Sequence, residues 1–361
     1  MIRKAFKFEG QSKLTPERLK EDDMDKTMSL SEAVAKYVED GDVLSLGGFT
    51  TNRKPYAAVY EILRQGKKDF VGWPGPGGGD WDLLIGEGRV KAYINCYTAN
   101  SGFTNVARRF RAAIESGQLN YEDYSQDVLM LQLHASALGL PFLPVSLMQA
   151  SGLEEYWGMS EEKRKTLDKV DNKKLVRMEN PFKPGEEILA VPVPRLDTAI
   201  IHAQMASPDG TAIIMGDEFH DVDIAIAAKK VIITCDELVS NEFIRQDPSK
   251  PNIFSGCVDA VVHVPFGAWP SQCYGYYDDD PQALREYDKA SRYQDAADAK
   301  ASLEKKGLEY DEKNPPETFE DYCQKWIYSV ENQDQLLDKI GGARLTKLRV
   351  VPGLGYSTSI K

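Results

Sequence analysis

Apolar residues along this chain come in short unbroken runs separated by amphipathic stretches. The runs Val43–Leu46, Val90–Tyr97, Asp127–Leu133, Glu187–Val193, Asp197–Gln204, Val231–Cys235 and Val258–Val264 predict strands, and most are continuously hydrophobic rather than alternating. Between them lie helical patterns. Ser29 and Glu32 form a capping-box signature ahead of a helix over Leu30–Glu39, Pro55 opens a second helix that runs through Leu63, and Thr104–Ser116 reads as a third with a basic face. Continuous strands interleaved with helices imply an α/β fold: an open, mainly parallel sheet covered by helices on both faces.

Two stretches read as excursions from that sheet. Gly152–Glu186 is rich in charge and ends in Asn180-Pro181-Phe182-Lys183-Pro184-Gly185; 278–320 contains Pro281–Lys306, whose Ala, Lys, Glu and Asp content favours exposed helix. Residues 1–28 form a charged N-terminal extension without the apolar run of a signal peptide, and residues 29–361 read as one domain carrying both excursions.

The 361 residues include 44 basic and 56 acidic side chains, a formal charge of −12, which opposes binding to nucleic acid. With 42% hydrophobic residues the chain has ample material for a core, yet no run approaches the roughly 18 apolar residues of a membrane span. Five cysteines, Cys96, Cys235, Cys257, Cys273 and Cys323, are widely spaced and include no C-x-x-C pair. Reduced thiols in a cytoplasmic protein, with no metal and no bound cofactor, are the expectation.

Open parallel sheets bind ligands beyond the carboxyl ends of their strands, so the turns there are the candidate chemistry. The first is Gly47-Gly48-Phe49-Thr50-Thr51-Asn52-Arg53, where paired glycines let backbone N–H groups approach an anion; a tight strand-to-helix turn is the plainer alternative. The second, Gly72–Trp81 with Gly75, Gly77, Gly78 and Gly79, matches neither a dinucleotide fingerprint nor a Walker loop. It is either a flexible wall over a ligand or a structural loop. The third, Tyr97-Thr98-Ala99-Asn100-Ser101-Gly102, offers a hydroxyl and an amide for an oxyanion or carboxylate, unless Ser101 or Thr104 simply caps the next helix.

Other candidates are weaker. His134, His202, His220 and His263 lie in or beside apolar runs and read as core or interface histidines. Asp278-Asp279-Asp280 reads as a solvated turn, and Arg108, Arg109 and Arg111 as an exposed or intersubunit helix face, with attraction for acyl-CoA phosphates as the alternative.

Asp42-Val43-Leu44-Ser45-Leu46-Gly47-Gly48-Phe49, ending at Pro55, resembles the N-terminal signature of the class I CoA-transferases, with Arg53 where most of the family has glycine. That departure resembles the alpha subunits of the glutaconate type. So do Gly78-Gly79-Asp80-Trp81-Asp82, Tyr93–Gly102, Gly139-Leu140-Pro141-Phe142-Leu143-Pro144, Asn180–Gly185, Ala206–Gly210 and Val350–Tyr356. The resemblance implies the NagB/RpiA/CoA-transferase type of fold. It also implies a ping-pong reaction in which an enzyme glutamate attacks an acyl-CoA thioester and then carries CoA as a glutamyl thioester.

The family's nucleophile sits in Ser-Glu-Asn-Gly, a run absent from this chain, so the resemblance places the glutamate on a beta subunit, implying an alpha/beta hetero-oligomer. It assigns catalytic positions to Ser101, beside that glutamate, and to Asn100. Gly47, Gly48, Phe49, Gly78 and Gly79 are expected around the substrate, with Arg53 clamping the distal carboxylate. The implied substrates are an acyl-CoA such as acetyl-CoA and a dicarboxylate such as glutaconate or 2-hydroxyglutarate, in anaerobic glutamate fermentation. The competing readings are a hydrolase or decarboxylase of the same superfamily, and a non-catalytic ligand sensor.

Overall fold

The computed structural model describes residues 25–104 and 106–350. Among the described residues are eleven strands: β1 (Val43–Leu46), β2 (Phe70–Gly72), β3 (Val90–Asn95), β4 (Asn120–Asp123), β5 (Phe142–Val145), β6 (Val176–Glu179), β7 (Glu187–Pro192), β8 (Thr198–Ala206), β9 (Ala212–Ile213), β10 (Lys230–Leu238) and β11 (Ala260–His263). The main sheet runs β11-β10-β8-β1-β2-β3-β4, parallel throughout, with β9 hydrogen-bonded antiparallel to β8; β5, β7 and β6 form a separate antiparallel sheet.

Neighbouring residues of one strand enter opposite cores, which explains the unbroken apolar runs. Leu44, Ile200 and Ile232 pack with the helices Leu30–Tyr37, Tyr56–Arg64 and Gly79–Gly86 on one face. Val43, Ile201 and Ile233 pack with the helices Gln126–Ala137 and Asp221–Ala227 on the other. The Ser29–Glu32 capping box forms as read, whereas Pro55 stands one residue before its helix.

The stretch Asp127–Leu133, expected as a strand, is instead part of the helix Gln126–Ala137, capped by Ser125. Its buried side chains, Val128, Leu129, Gln132 and Leu133, sit three and four residues apart, a helical spacing hidden inside a short apolar run. The expected helix over Pro281–Lys306 is two helices, Pro281–Ala290 and Ala296–Lys305, and the first buries Leu284 and Tyr287 instead of lying exposed. Asp278-Asp279-Asp280 is no solvated turn: Asp280 caps that helix through Gln282 and Ala283 N–H and accepts from Trp269 Nε1 at 2.8 Å. Of the N-terminal extension, residues 1–24 lie outside the described residues, as does most of Val350–Tyr356, while Thr27 bridges Val261 on the edge strand β11.

From β1 the chain builds outward through β2, β3 and β4, then crosses to the other side of β1 and builds through β8, β10 and β11. The strand order therefore reverses between β1 and β8. In open sheets of this kind the crevice that binds ligands lies beyond the carboxyl ends of the strands at such a reversal.

Candidate active site

All three turns singled out in the sequence converge on that crevice, because β1, β2 and β3 are adjacent. Thr50 N–H reaches Pro76 O, Gly77 N–H donates to Tyr97 O, and Ala99 N–H donates back to Gly77 O. Turn is thus hydrogen-bonded to turn.

The first turn is a tight knot. Gly48 has φ +73°, and Phe49 and Asn52 exchange backbone hydrogen bonds of 2.8 and 2.7 Å, with Thr50 and Arg53 also at positive φ. Gly47 N–H donates to Ile200 O at 2.9 Å and Gly48 N–H to Asp221 Oδ1 at 2.8 Å. A Cβ on Gly47 would stand 2.5 Å from Asp221 Oδ1, and one on Gly48 2.3 Å from Asn52 O. The expectation that these glycines open their N–H groups to a ligand is therefore corrected: the protein's own atoms fill that space. Phe49 stays half-buried at the mouth, stacked on Phe219 with ring centroids 4.6 Å apart.

Arg53 is corrected for the same reason. A carboxylate clamp needs an open guanidinium, but Arg53 is 0% exposed. Its Nη1 lies 2.6 Å from Asp221 Oδ2 and donates to His202 O at 2.9 Å, and Nη2 donates to Asp217 O at 2.8 Å. Its neighbour Lys54, equally buried, places Nζ 3.1 Å from Asp80 Oδ2 and 3.4 Å from Gly48 O. The Lys54–Asp80 pair locks the first turn to the second, and the Arg53–Asp221 pair locks it to the helix Asp221–Ala227.

The second turn is buried along its whole length. Of its two readings the structural one holds. Gly78 N–H donates to Asp80 Oδ1 at 2.9 Å and Gly79 N–H to Asn100 Oδ1 at 2.8 Å, and Gly78 stands at the N-terminus of the helix Gly79–Gly86. A Cβ on Gly78 would be 2.1 Å from Thr50 O, so glycine is required here for close backbone packing, and the expected substrate contact of Gly78 and Gly79 is corrected. Gly75 N–H lies 3.2 Å from His220 Nε2. Burial outweighs the attraction of Asp221 and lowers the His220 pKa to about 4, so the ring is neutral, with Nε2 set between Gly75 N–H and Leu46 O at 3.3 Å.

The third turn differs. Asn95 Nδ2 donates to Thr98 Oγ1 at 2.6 Å and fastens its base, and Asn100 is buried and spans to Gly79, but Ser101 is exposed. Among the described residues its Oγ pairs with Tyr97 Oη, at 3.4 Å. The next helix is Arg108–Glu115, whose N-cap is Ala107 and lacks a side-chain cap, so neither Ser101 nor Thr104 caps it. The arrangement presents one hydroxyl outward from a rigid floor.

Sequence reasoning missed the polar chain behind Arg53. His202 bonds Thr234 Oγ1 through Nδ1 and Asp236 Oδ2 through Nε2, both at 2.9 Å, while Asp236 Oδ1 accepts from Phe266 N–H at 2.6 Å. With Cys273 these donors fall within 4.8 Å of one another, a set of types that hold zinc. Burial and Asp236 push the Cys273 thiol up, and the hydrogen bonds of His202 and Asp236 tie the cluster together. No sequence spacing announces it, since the residues come from β8, β10 and a loop. His202 and His220 are core histidines as read, whereas His134 is exposed and pairs with Asp223.

The arginines of Arg108–Glu115 face inward or pair locally. Arg108 pairs with Asp288, Arg109 is buried against the carbonyls of Ser291 and Arg292, and Arg111 pairs with Glu115. A CoA-phosphate patch is not what they form.

Residues 27–263 match the family described as coenzyme A transferase. The chain is 58% identical over 333 residues, 92% of this chain and 97% of the relative, to the A subunit of glutaconate CoA-transferase from Acidaminococcus fermentans. It is 34% identical to the A subunit of 3-oxoadipate CoA-transferase from Pseudomonas knackmussii, over 74% of this chain and 89% of that protein. The crystal structure of glutaconate coenzyme A-transferase from Acidaminococcus fermentans superposes with a TM-score of 0.85 at 57% identity, covering 92% of this chain and 98% of that one. By sequence and by fold, the chain belongs to the coenzyme A transferase family.

Proposed function

We propose that this chain is the alpha subunit of a two-chain CoA-transferase. The enzyme moves CoA from an acyl-CoA such as acetyl-CoA to a dicarboxylate such as glutaconate or 2-hydroxyglutarate, with the nucleophilic glutamate supplied by the beta chain. In this scheme the glutamate carboxylate attacks the thioester carbonyl and expels CoA thiolate, giving a mixed anhydride. The thiolate then attacks the glutamyl carbonyl and releases the acid, and the acceptor carboxylate reverses the sequence. Coenzyme A is a substrate here, and no resident cofactor or metal is required. A cytoplasmic setting accords with five free thiols and with the finding that no helix among the described residues is long and apolar enough to cross a membrane.

The observation that carries the reading is the chain's 58% identity, across nearly its whole length, to one chain of glutaconate CoA-transferase. The crevice supports it: Ser101 alone of the expected catalytic pair is exposed, where a glutamate from another chain can accept its hydroxyl. Relatives near 28% identity include one chain of a cholesterol ring-cleaving hydrolase, and a decarboxylase, which keeps hydrolysis as the second reading. Purified alpha and beta chains mixed with acetyl-CoA and glutaconate should form acetate and the new thioester in equal amounts. Free CoA without a new thioester would favour the hydrolase, and full activity of the alpha chain alone would overturn the division of labour.

A further inference from the structure

The turn that presents Ser101 carries a second hydroxyl. Tyr97 opens the turn, Ser101 follows four residues later, and the two side chains meet with Oη and Oγ 3.4 Å apart. Both residues are exposed, Tyr97 by 40%. Among the described residues neither hydroxyl has another hydrogen-bond partner.

The backbone holds this pair in place. Tyr97 O accepts from Gly77 N–H at 2.9 Å and from Asn95 Nδ2 at 2.8 Å. At the other end Asn100 is buried; its Oδ1 accepts from Gly79 N–H at 2.8 Å, and its carbonyl accepts from Phe103 and Thr104 N–H, each at 2.9 Å. Gly102, at φ +83°, then turns the chain away. Each hydroxyl hangs from a fixed backbone, so their separation is set by side-chain rotation alone.

Tyr93 on β3 shows what a structural hydroxyl does in this part of the fold. It is buried, its Oη pairs with Thr98 Oγ1 at 3.0 Å and it accepts from Asn95 Nδ2 at 2.9 Å. The Tyr97 hydroxyl fastens no such element. It reaches past the turn to the one side chain that the crevice presents outward.

We propose, resting on the role given above to Ser101, that Tyr97 is a positioning residue for the transfer. Its Oη–H donates to Ser101 Oγ, which leaves the serine proton to point outward at the carboxylate or oxyanion that the companion chain's glutamate brings. A serine hydroxyl has one proton and two lone pairs, and it rotates until a partner fixes it. A phenol gives up its proton more readily than an aliphatic alcohol, so in such a pair the tyrosine is the better donor. Donation into Oγ occupies a lone pair, opposes the rotamer in which the serine proton is spent on Tyr97, and polarises the outward O–H. A donor already aimed needs no reorganisation when charge develops in front of it. The 3.4 Å separation is long for two hydroxyls, and it should shorten once an anion draws on the serine proton.

The test is a double-mutant cycle on this chain in complex with its companion, supplied with acetyl-CoA and glutaconate, with product read both as new thioester and as free CoA. Tyr97→Phe keeps the ring and removes only the hydroxyl. Its kcat is expected to fall roughly tenfold, the size of one well-placed hydrogen bond, with KM for both substrates and the elution volume of the complex unchanged. In a Ser101→Ala background the same change should have no further effect, because Tyr97 acts through that oxygen. An unchanged kcat in Tyr97→Phe overturns the proposal, as does a rise in KM alone or a loss of the complex. Equal losses with and without Ser101 also overturn it, placing the phenol on the substrate itself. If Ser101→Ala is silent, the proposal falls with the serine. A complex that releases CoA without forming a new thioester defeats the transferase reading, yet the cycle read in free CoA still judges Tyr97, so the two failures are distinguishable.

Discussion

Ser101 and Arg53 exchange roles between sequence and structure. Both are polar, both follow a strand, and the family resemblance gave each a place at the substrate. Ser101 emerges exposed, 3.4 Å from Tyr97 Oη and with no helix to cap. Ser101→Ala should lower turnover by roughly ten- to a thousandfold, the range for losing one oxyanion-type donor, with complex formation unchanged in gel filtration. Unaltered steady-state kinetics would remove the hydroxyl from the mechanism. Arg53 is buried and holds Asp221, which in turn holds Gly48. Removing one partner from a buried ion pair leaves the other uncompensated and costs about 3–5 kcal/mol. Arg53→Met and Asp221→Asn should therefore each shift the denaturant midpoint by that order. Arg53→Lys, which keeps the charge but loses the fork that spans Asp221, His202 O and Asp217 O, should weaken dicarboxylate and acetate use alike. A selective loss on dicarboxylates would restore the clamp.

Elements were legible where a periodic pattern ran long enough to choose between strand and helix. The β1 and β8 runs, the capping box at Ser29 and the helix after Pro55 all formed, because burial on both sheet faces leaves an unmistakable continuous run. The helix Gln126–Ala137 was not legible as such: Asp127–Leu133 is seven residues, too short for periodicity to decide. The helix Gly79–Gly86 went unread because it is buried nearly all round, Asp80 and Asp82 included, and begins inside a glycine-rich turn. The two ion pairs under the crevice join residues far apart in sequence, and no local pattern carries such information.

The glycines of the second turn make the packing argument testable. Gly78→Ala drives a Cβ to 2.1 Å from Thr50 O, a backbone atom that has no rotamer to change, so the first and second turns must separate. A fall in both melting temperature and activity is the expected result. Asp279 supports the first turn from behind, its Oδ1 accepting from Gln272 N–H while Gln272 O accepts from Arg53 N–H. Burial, against the Gln272 hydrogen bond and with help from Asp278, raises its pKa from 3.8 to about 7. The folded chain thus holds this proton more tightly than the unfolded one. Its contribution to stability is complete below pH 3.8 and is lost as pH rises through 7. Urea titrations from pH 4 to 8 should show Asp279→Asn gaining stability relative to the unaltered chain as pH rises; parallel curves would refute the assignment.

At the scale of the whole molecule, a buried arginine is one of the links between the sheet domain and the excursion after residue 278. Arg109 donates through Nε to Ser291 O at 2.7 Å, through Nη2 to Arg292 O at 3.1 Å and through Nη1 to Gln294 Oε1 at 3.0 Å, and its guanidinium lies over the Phe319 ring. Beside it Asp82 accepts from Phe110 N–H and from Tyr287 Oη, each at 2.7 Å. The sequence showed three arginines on one helix but not the targets of Arg108 and Arg109, some 180 residues away. Hydrogen bonds to a charged donor contribute about 1.5–3 kcal/mol each, and carbonyls left buried without a partner add to the loss. Arg109→Ala should cost about 3 kcal/mol locally, equivalent to roughly a hundredfold faster opening. Hydrogen exchange is the measurement that separates local from global effects. Amides of residues 291–320 should exchange faster by that factor, while those of β1, β8 and β10 keep their protection. Equal acceleration in the central strands would mean that Arg109 stabilises the fold as a whole, and that the segment is an integral layer of the core with no opening of its own.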